Sequence, residues 1–254
     1  LVTGGNGMLG AVLVSSLVAR GHQVGVASRH PSTAGLPDGV HAATVDIATG
    51  EGIVPALQGV DTVVHAASSP MGNTQAVDVA GTRRIAVAAG EAGVSHLVYV
   101  SIVGVDAIPY SYYRAKFAAE QVVAAGRVPW TVQRITQFHP FVSYLFGRLT
   151  AGPVTVAPAD TPLQPISLSD AAECLADAVQ TGPVGYAPDV GGPHVESAAE
   201  LARQWRNGNK PGGRVVTVPV PRALGRSLRS GAATCPDGAT RGTSFAGAMG
   251  PGLS

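Results

Sequence analysis

The chain has 254 residues with 17 Lys/Arg against 16 Asp/Glu, a formal net charge of +1, and only 13% of its residues are charged. No run of basic residues appears, which excludes the electrostatic footprint of a nucleic-acid or anionic-membrane binder and leaves small molecules as the expected partners. No stretch of about 20 apolar residues lacks Gly or polar interruption, so no membrane span is expected, and 25.6 kDa suits one large α/β domain or a domain with a small appended lobe.

Leu1-Val2-Thr3 reads as the end of a strand, so a few residues are expected upstream of it. Thr3-Gly4-Gly5-Asn6-Gly7-Met8-Leu9-Gly10 follows, with Gly4, Gly7 and Gly10 spaced three apart. That spacing gives a side-chain-free residue to a tight turn, a close backbone approach and a helix packing contact, as a dinucleotide pyrophosphate loop requires. Ala11, Val12, Val14, Leu17 and Val18 then form the apolar face of a helix ending near Arg20-Gly21. The amino end of that helix offers free N–H groups and a positive dipole end to phosphate. The loop residues Gly4, Asn6, Gly7, Met8, Leu9 and Gly10 are therefore the first candidate cofactor contacts. These apolar first residues lack the basic leading segment of a signal peptide, and a cytoplasmic protein is expected.

Strands are predicted at Val24 to Ala27, His41 to Val45, Thr62 to Ala66, His96 to Ser101 and Trp130 to Arg134. Helical stretches fall between them, at Gly52 to Leu57, Gln75 to Ala92 and Tyr112 to Ala125. This alternation predicts an α/β fold, a Rossmann-like doubly wound parallel sheet. The second strand ends in Ala27-Ser28-Arg29-His30, with no carboxylate before Asp38. An acidic residue there would suit a free ribose, whereas Arg29 can fork onto a 2′-phosphate and Ser28 can add a hydroxyl donor, which favours NADP(H) over NAD(H). Asp46, just past the third strand, is placed either to meet the adenine or to close a turn.

Tyr112-Tyr113-Arg114-Ala115-Lys116 opens a helix, and Tyr112 and Lys116, four apart, share a face. Lys116 and Lys210 are the only lysines among 17 basic residues, which marks Lys116 as chosen for a compact ammonium. Such a group can hydrogen-bond ribose hydroxyls and lower the pKa of a nearby phenol from about 10. Tyr110 and Tyr113 compete with Tyr112 for the proton-donor role, and Lys116 can instead pair with Glu120 one turn on. Ser101, at the carboxyl end of the fifth strand, is the candidate to bind a substrate carbonyl oxygen.

Beyond Arg134 the alternation weakens, and Pro/Gly-rich segments at Ala151 to Pro165, Thr181 to Pro193 and Asn207 to Arg214 read as loops around a substrate lobe. Ser169-Asp170 before Ala171 to Val179, and Ser197 before Ala198 to Trp205, read as helix starts with capping oxygens. The division expected is a core at residues 1–135 and a substrate-side lobe at 136–254, interleaved with the last sheet elements in a single compact domain. No structure is assigned to the last few residues of the Gly/Ala/Thr-rich tail from Gly231 to Ser254. Cys174 and Cys235 lack metal-type spacing and the histidines are scattered, so reduced cysteines and no metal site are expected. Nothing fixes the oligomeric state, and a homodimer is allowed.

With these residues in place the chain resembles the short-chain dehydrogenase/reductase superfamily, and within it the atypical, NmrA-like NAD(P)-binding branch. The likeness rests on the glycine loop, Val64-His65-Ala66-Ala67, Val100 to Asp106, Tyr112 to Glu120, Arg134 to Phe138, Gln164-Pro165-Ile166-Ser167 and Asp170-Ala171-Ala172. It implies that Ala66 and Ala67 line the cofactor and that Gln137, Phe138 and His139 face the nicotinamide and substrate. Ser101 and Tyr112 lie 11 positions apart, closer than in better-known members. The activity expected is reduction of a small carbonyl or quinone by NADPH. The alternatives are a non-catalytic NADP(H)-sensing protein, or a nucleotide-sugar epimerase or dehydratase.

Overall fold

The computed structural model describes residues 1–248. Its first elements are β1 (Val2–Thr3), α1 (Met8–Ala19), β2 (Gly25–Ser28), β3 (His41–Thr44), α2 (Ile53–Ala56) and β4 (Thr62–His65). A π-helical segment, Gln75–Gly81, leads into α3 (Thr82–Glu91), followed by β5 (His96–Ile102), α4 (Ser111–Ala124) and β6 (Trp130–Ile135). Then come α5 (His139–Arg148), β7 (Thr150–Ala151), β8 (Val154–Pro158), β9 (Pro162–Leu163), α6 (Leu168–Thr181), β10 (Gly185–Tyr186) and β11 (Val190–Gly191). The chain continues through β12 (Glu196–Ser197), α7 (Ala198–Asn209), β13 (Arg214–Val218), α8 (Arg222–Arg229), β14 (Ala239–Thr240) and α9 (Phe245–Ala248).

Two compact units interleave along the chain. The first takes Leu1–Ser101, Ser111–Arg134 and Ala171–Ala187, and the second takes Ile102–Tyr110, Ile135–Asp170 and the residues from Pro188 on. Relative to the expected boundary after residue 135, Ile102–Tyr110 and Ile135 join the second unit and Ala171–Ala187 the first.

In the first unit the strands run in the order β6-β5-β4-β1-β2-β3, with β10 pairing β6. Every register resolved here is parallel, including Val2 opposite both Val26 and Val64, and Val64 opposite Val98. The order reverses at β1, where an open sheet of this kind leaves a crevice at its strand carboxyl ends. Leu97, Val98, Tyr99 and Val100 of β5 are all buried, as a parallel strand covered on both faces requires. Leu13, Val14 and Leu17 of α1 share one buried face. Burial of each of these leucines contributes about 1.5–3 kcal/mol.

In the second unit, Val154–Pro158 and Arg214–Val218 pair in parallel over five residues, β7 pairs antiparallel to β8, and β12 pairs antiparallel to β9. Val142, Phe146, Ala157, Leu201, Ala202, Trp205 and Phe245 form its apolar core.

Three sequence expectations are corrected. The single helix expected from Gln75 to Ala92 is divided at Gly81, where the wider π turn carries Asp78 into the interior. The cap of α6 is Ser167, whose hydroxyl accepts from the Asp170 amide at 3.0 Å, so the helix starts before Ser169-Asp170. The Pro/Gly-rich segments hold short strands, because backbone pairing to distant partners supplies the order that local sequence does not. Ser197 does cap α7, forming a reciprocal capping box with Glu200. The tail beyond residue 248 lies outside the described residues.

Candidate dinucleotide and proton-transfer site

The glycine loop joins the carboxyl end of β1 to α1. Gly4 has φ of +70°, and a side chain on it would press within 2.9 Å of the Ala67 backbone. Gly10, in the first turn of α1, packs directly on the Gly4 carbonyl, and a Cβ there would stand 2.7 Å from Gly5 Cα. Gly7 occupies the N-cap, and no side chain caps α1. The amides of Met8, Leu9 and Gly10 therefore lack helical partners and carry the positive dipole end. Such a cradle fits a pyrophosphate.

Asn6 ties this loop to the segment after β2. Its Nδ2 donates to the Ser32 carbonyl at 2.7 Å, while its Oδ1 accepts from Ser28 Oγ at 3.0 Å and from the Ser32 amide at 3.3 Å. Arg29 is exposed at the same strand end. Asp46 closes a turn, its Oδ1 accepting from the Ala48 amide at 2.8 Å and its carbonyl accepting from Gly50. Ala66 and Ala67 continue from β4 beside Gly4, with their amides donating to the Thr3 carbonyl and Thr3 Oγ1.

Beneath the loop runs a buried chain of hydrogen bonds. Thr82 Oγ1 donates to the Asp78 carbonyl at 2.6 Å, so it accepts from His65 Nε2 at 2.9 Å. His65 Nδ1, left as the acceptor, takes the Thr3 hydroxyl hydrogen at 2.6 Å. Burial first, and then the Lys116 charge, push the His65 pKa down from 6.5 to about 3, which keeps the ring neutral.

Tyr112 lies in the first turn of α4, and its hydroxyl is 2.7 Å from Ser68 Oγ. Ser68 donates onward to Asp78 Oδ1, and the Ser69 amide donates to Asp78 Oδ2 at 3.1 Å. Tyr113 meets Tyr112 edge-on at 6.3 Å, and Tyr110 belongs to the second unit. Burial above all raises the Tyr112 phenol, with the Asp78 and Tyr113 charges adding to it and the Ser68 hydrogen bond opposing it. That direction is opposite to the lowering expected from Lys116.

Lys116 is 4% exposed, donates to the Val100 carbonyl at 2.6 Å and lies 4.1 Å above the Tyr99 ring. Burial lowers its pKa from 10.5 to about 8, while Asp78 and Glu120 hold it up. Glu120 pairs not with Lys116 but with Arg134, bonding Nε at 2.9 Å and Nη2 at 2.7 Å. Ser101, 2% exposed, donates its hydroxyl to Glu120 at 2.5 Å, so that hydrogen is committed inside the fold and not presented to a carbonyl.

Gln137, Phe138 and His139 lie in the second unit. The Gln137 amide donates to the Ala233 carbonyl at 2.9 Å and accepts from Gln164 at 3.4 Å. Phe138 is the N-cap of α5. His139 stacks edge-on with Phe245 at 5.4 Å, and burial, the largest influence, lowers its pKa. Sequence reasoning missed Ser68 and Asp78; the one local signal was an acidic residue inside the otherwise uncharged segment Gln75–Gly81. Among the described residues no cluster of His, Cys, Asp and Glu could hold a metal, and no helix is long and apolar enough to cross a membrane.

Comparison with known proteins accords with this geometry. The model of an NAD(P)H-binding family matches residues 4–181. A reductase of Streptomyces griseus, named for (4-alkanoyl-5-oxo-2,5-dihydrofuran-3-yl)methyl phosphate, is 31% identical over 235 residues, covering 90% of this chain and 75% of that protein. A 3-beta-hydroxysteroid dehydrogenase of Mycolicibacterium neoaurum is 34% identical over 154 residues, 48% of this chain and 42% of that protein. The chain thus spans less than half the length of that curated relative, and 44% of a 2-alkyl-3-oxoalkanoate reductase of Stenotrophomonas maltophilia. Among solved structures, an NADPH-dependent quinone oxidoreductase of Escherichia coli superposes with a TM-score of 0.74 at 20% identity, covering 91% of this chain and 87% of that one. MoeE5 in complex with UDP-glucuronic acid and NAD superposes at 0.75 with 19% identity, over 98% and 95%. The glycine cradle lies within the matched span, and the chain belongs to the NAD(P)H-binding family of the atypical short-chain dehydrogenase/reductase superfamily.

Proposed function

We propose that the chain is an NADP(H)-dependent oxidoreductase of the NmrA-like type that reduces a small carbonyl or quinone. The observation that carries this reading is the Tyr112 hydroxyl at Ser68, next along the chain from the Ala66-Ala67 backbone that walls the Gly4 cradle. A phenol there serves as acid and base. The amides after Gly7 hold the pyrophosphate, and Arg29 with Ser28 receives the 2′-phosphate. A bound nicotinamide supplies the hydride chemistry. Lys116 fixes the ribose side through its charge, and Gln137, Phe138 and His139 belong to the substrate side. The reductase and dehydrogenase names of the relatives support the reaction class.

A second reading, an NADP(H)-sensing protein without turnover, draws on the internal commitment of both Ser101 and Lys116. Fluorescence titration with NADPH and NADH, followed by a screen of quinones and ketones for NADPH oxidation, separates the two. The oxidoreductase reading expects Arg29→Ala to weaken NADPH binding at least about tenfold with NADH little changed, and Tyr112→Phe to cut turnover at least about tenfold. Tight binding without oxidation of NADPH by any probe would leave only the sensing role. Binding of neither coenzyme would remove both readings.

A further inference from the structure

The buried carboxylate of Asp78 has no part in the reading above, yet it terminates a directional chain of hydroxyls. An ionised carboxylate only accepts hydrogen bonds, so the Ser68 hydrogen points to Asp78 Oδ1. Ser68 has a single hydroxyl hydrogen, and its contact with Tyr112 at 2.7 Å must therefore be donated by Tyr112. Every donor points away from the exposed end and toward Asp78, which is 1% exposed.

We propose that Tyr112, Ser68 and Asp78 form a proton relay with Asp78 as its terminus, a step that rests on the oxidoreductase reading. In alcohol oxidation the substrate hydroxyl proton passes to Tyr112 Oη as the Tyr112 proton passes to Ser68 Oγ and the Ser68 proton to Asp78 Oδ1. Three O–H bonds break and three form, and Asp78 ends neutral. The carbinol hydrogen leaves with its electron pair, and the oxidised nicotinamide coenzyme is the acceptor of that hydride. Carbonyl reduction reverses each transfer from protonated Asp78, with the hydrogen bonds along the chain reversed in direction, and a solvent proton entering at Tyr112 after product release recharges Asp78 through Ser68.

The relay answers a difficulty that the Tyr/Lys pair leaves open. Burial raises the Tyr112 phenol, so a free phenolate would be costly at neutral pH. Concerted transfer through Ser68 avoids forming one. Asp78 is faced by Lys116 and Tyr112 of α4 and by Tyr99 of β5, and the Lys116 ammonium compensates its buried charge.

Two measurements test the relay. The NMR resonance of the Tyr112 ring carbon bearing oxygen, assigned with Tyr112→Phe, should move in both Ser68→Ala and Asp78→Asn, because each breaks the chain that the phenol donates into. An unmoved resonance in both variants overturns the relay. With NADPH and either menadione or acetophenone as the probe, Asp78→Asn should lower turnover at least about tenfold. It should also turn a bowed dependence of rate on deuterium fraction into a straight line, and Asp78→Glu should restore part of the loss. If Tyr112→Phe silences the enzyme while Asp78→Asn keeps full turnover, the relay falls and the oxidoreductase reading stands. Silence of the wild type itself removes that reading and the relay with it.

Discussion

His65 makes the first unit acid-labile. Its ring is fully buried between Thr3 and Thr82, and both nitrogens are already satisfied with a single ring proton. Protonation would place a second N–H against the Thr3 hydroxyl and a second positive charge near Lys116. The folded-state pKa is about 3 against 6.5 for an unperturbed imidazole. The folded state thus binds the proton less well than the unfolded chain, so stability is intact above about pH 6.5 and falls as pH drops toward about 3. At about 1.4 kcal/mol per unit, His65 alone costs about 2 kcal/mol at pH 5 and about 5 kcal/mol at the bottom of its window. Urea unfolding of wild type and His65→Gln at pH 7 and pH 5 isolates this, because carboxylates common to both proteins cancel. The wild type should lose about 2 kcal/mol more than the variant over that interval. Equal losses would refute the argument that a charged His65 is excluded from the fold. Thr3 Oγ1 also accepts from the Ala67 amide beside Gly4, so coenzyme binding should weaken over the same pH interval.

Gly10→Ala forces a methyl onto the Gly4 carbonyl and Gly5 Cα, both backbone atoms, and should cost about 1–3 kcal/mol in a thermal or urea melt while abolishing NADPH binding. Gly7→Ala meets only the Gly4 carbonyl at 3.1 Å with an ordinary φ of −75°, and should stay folded in the same melt. Lys116 should titrate at about 8, and with only Lys116 and Lys210 in the chain the lysine Cε resonances resolve it directly. In Asp78→Asn the nearby negative charge that does most to hold that ammonium charged is gone, so the midpoint should fall; an unchanged midpoint would refute the coupling.

The first unit was legible because its sequence signals are local. The glycine spacing sets a turn, the face of Leu13, Val14 and Leu17 sets a helix, and β4 and β5 are apolar runs bounded by helices. The observed strand ends differ from the expected ones by a residue or so, as end-fraying predicts. The second unit was less so. Several of its strands are two residues long, and the pairing of Val154–Pro158 with Arg214–Val218 joins segments far apart in the chain, so neither carries a period of its own. The helix α5 was missed because it follows directly on Phe138 with Pro140 in its first turn, a start that reads as a loop until the N1/N2 preference for proline is applied.

At the site, residue types were legible but partners were not. Tyr112 and Lys116 share a helix face as their spacing requires, yet which groups they meet depends on the loop after β4 and the π turn, neither of which has a periodic signature. Ser101 illustrates the same limit: its position at the end of β5 is correct, and its hydroxyl is diverted by Glu120, which α4 delivers one turn beyond Lys116. The charges explain why these diversions are stable. Asp78 and Glu120, both buried, are balanced by Lys116 and Arg134, and removing either cation would leave a buried carboxylate less well compensated.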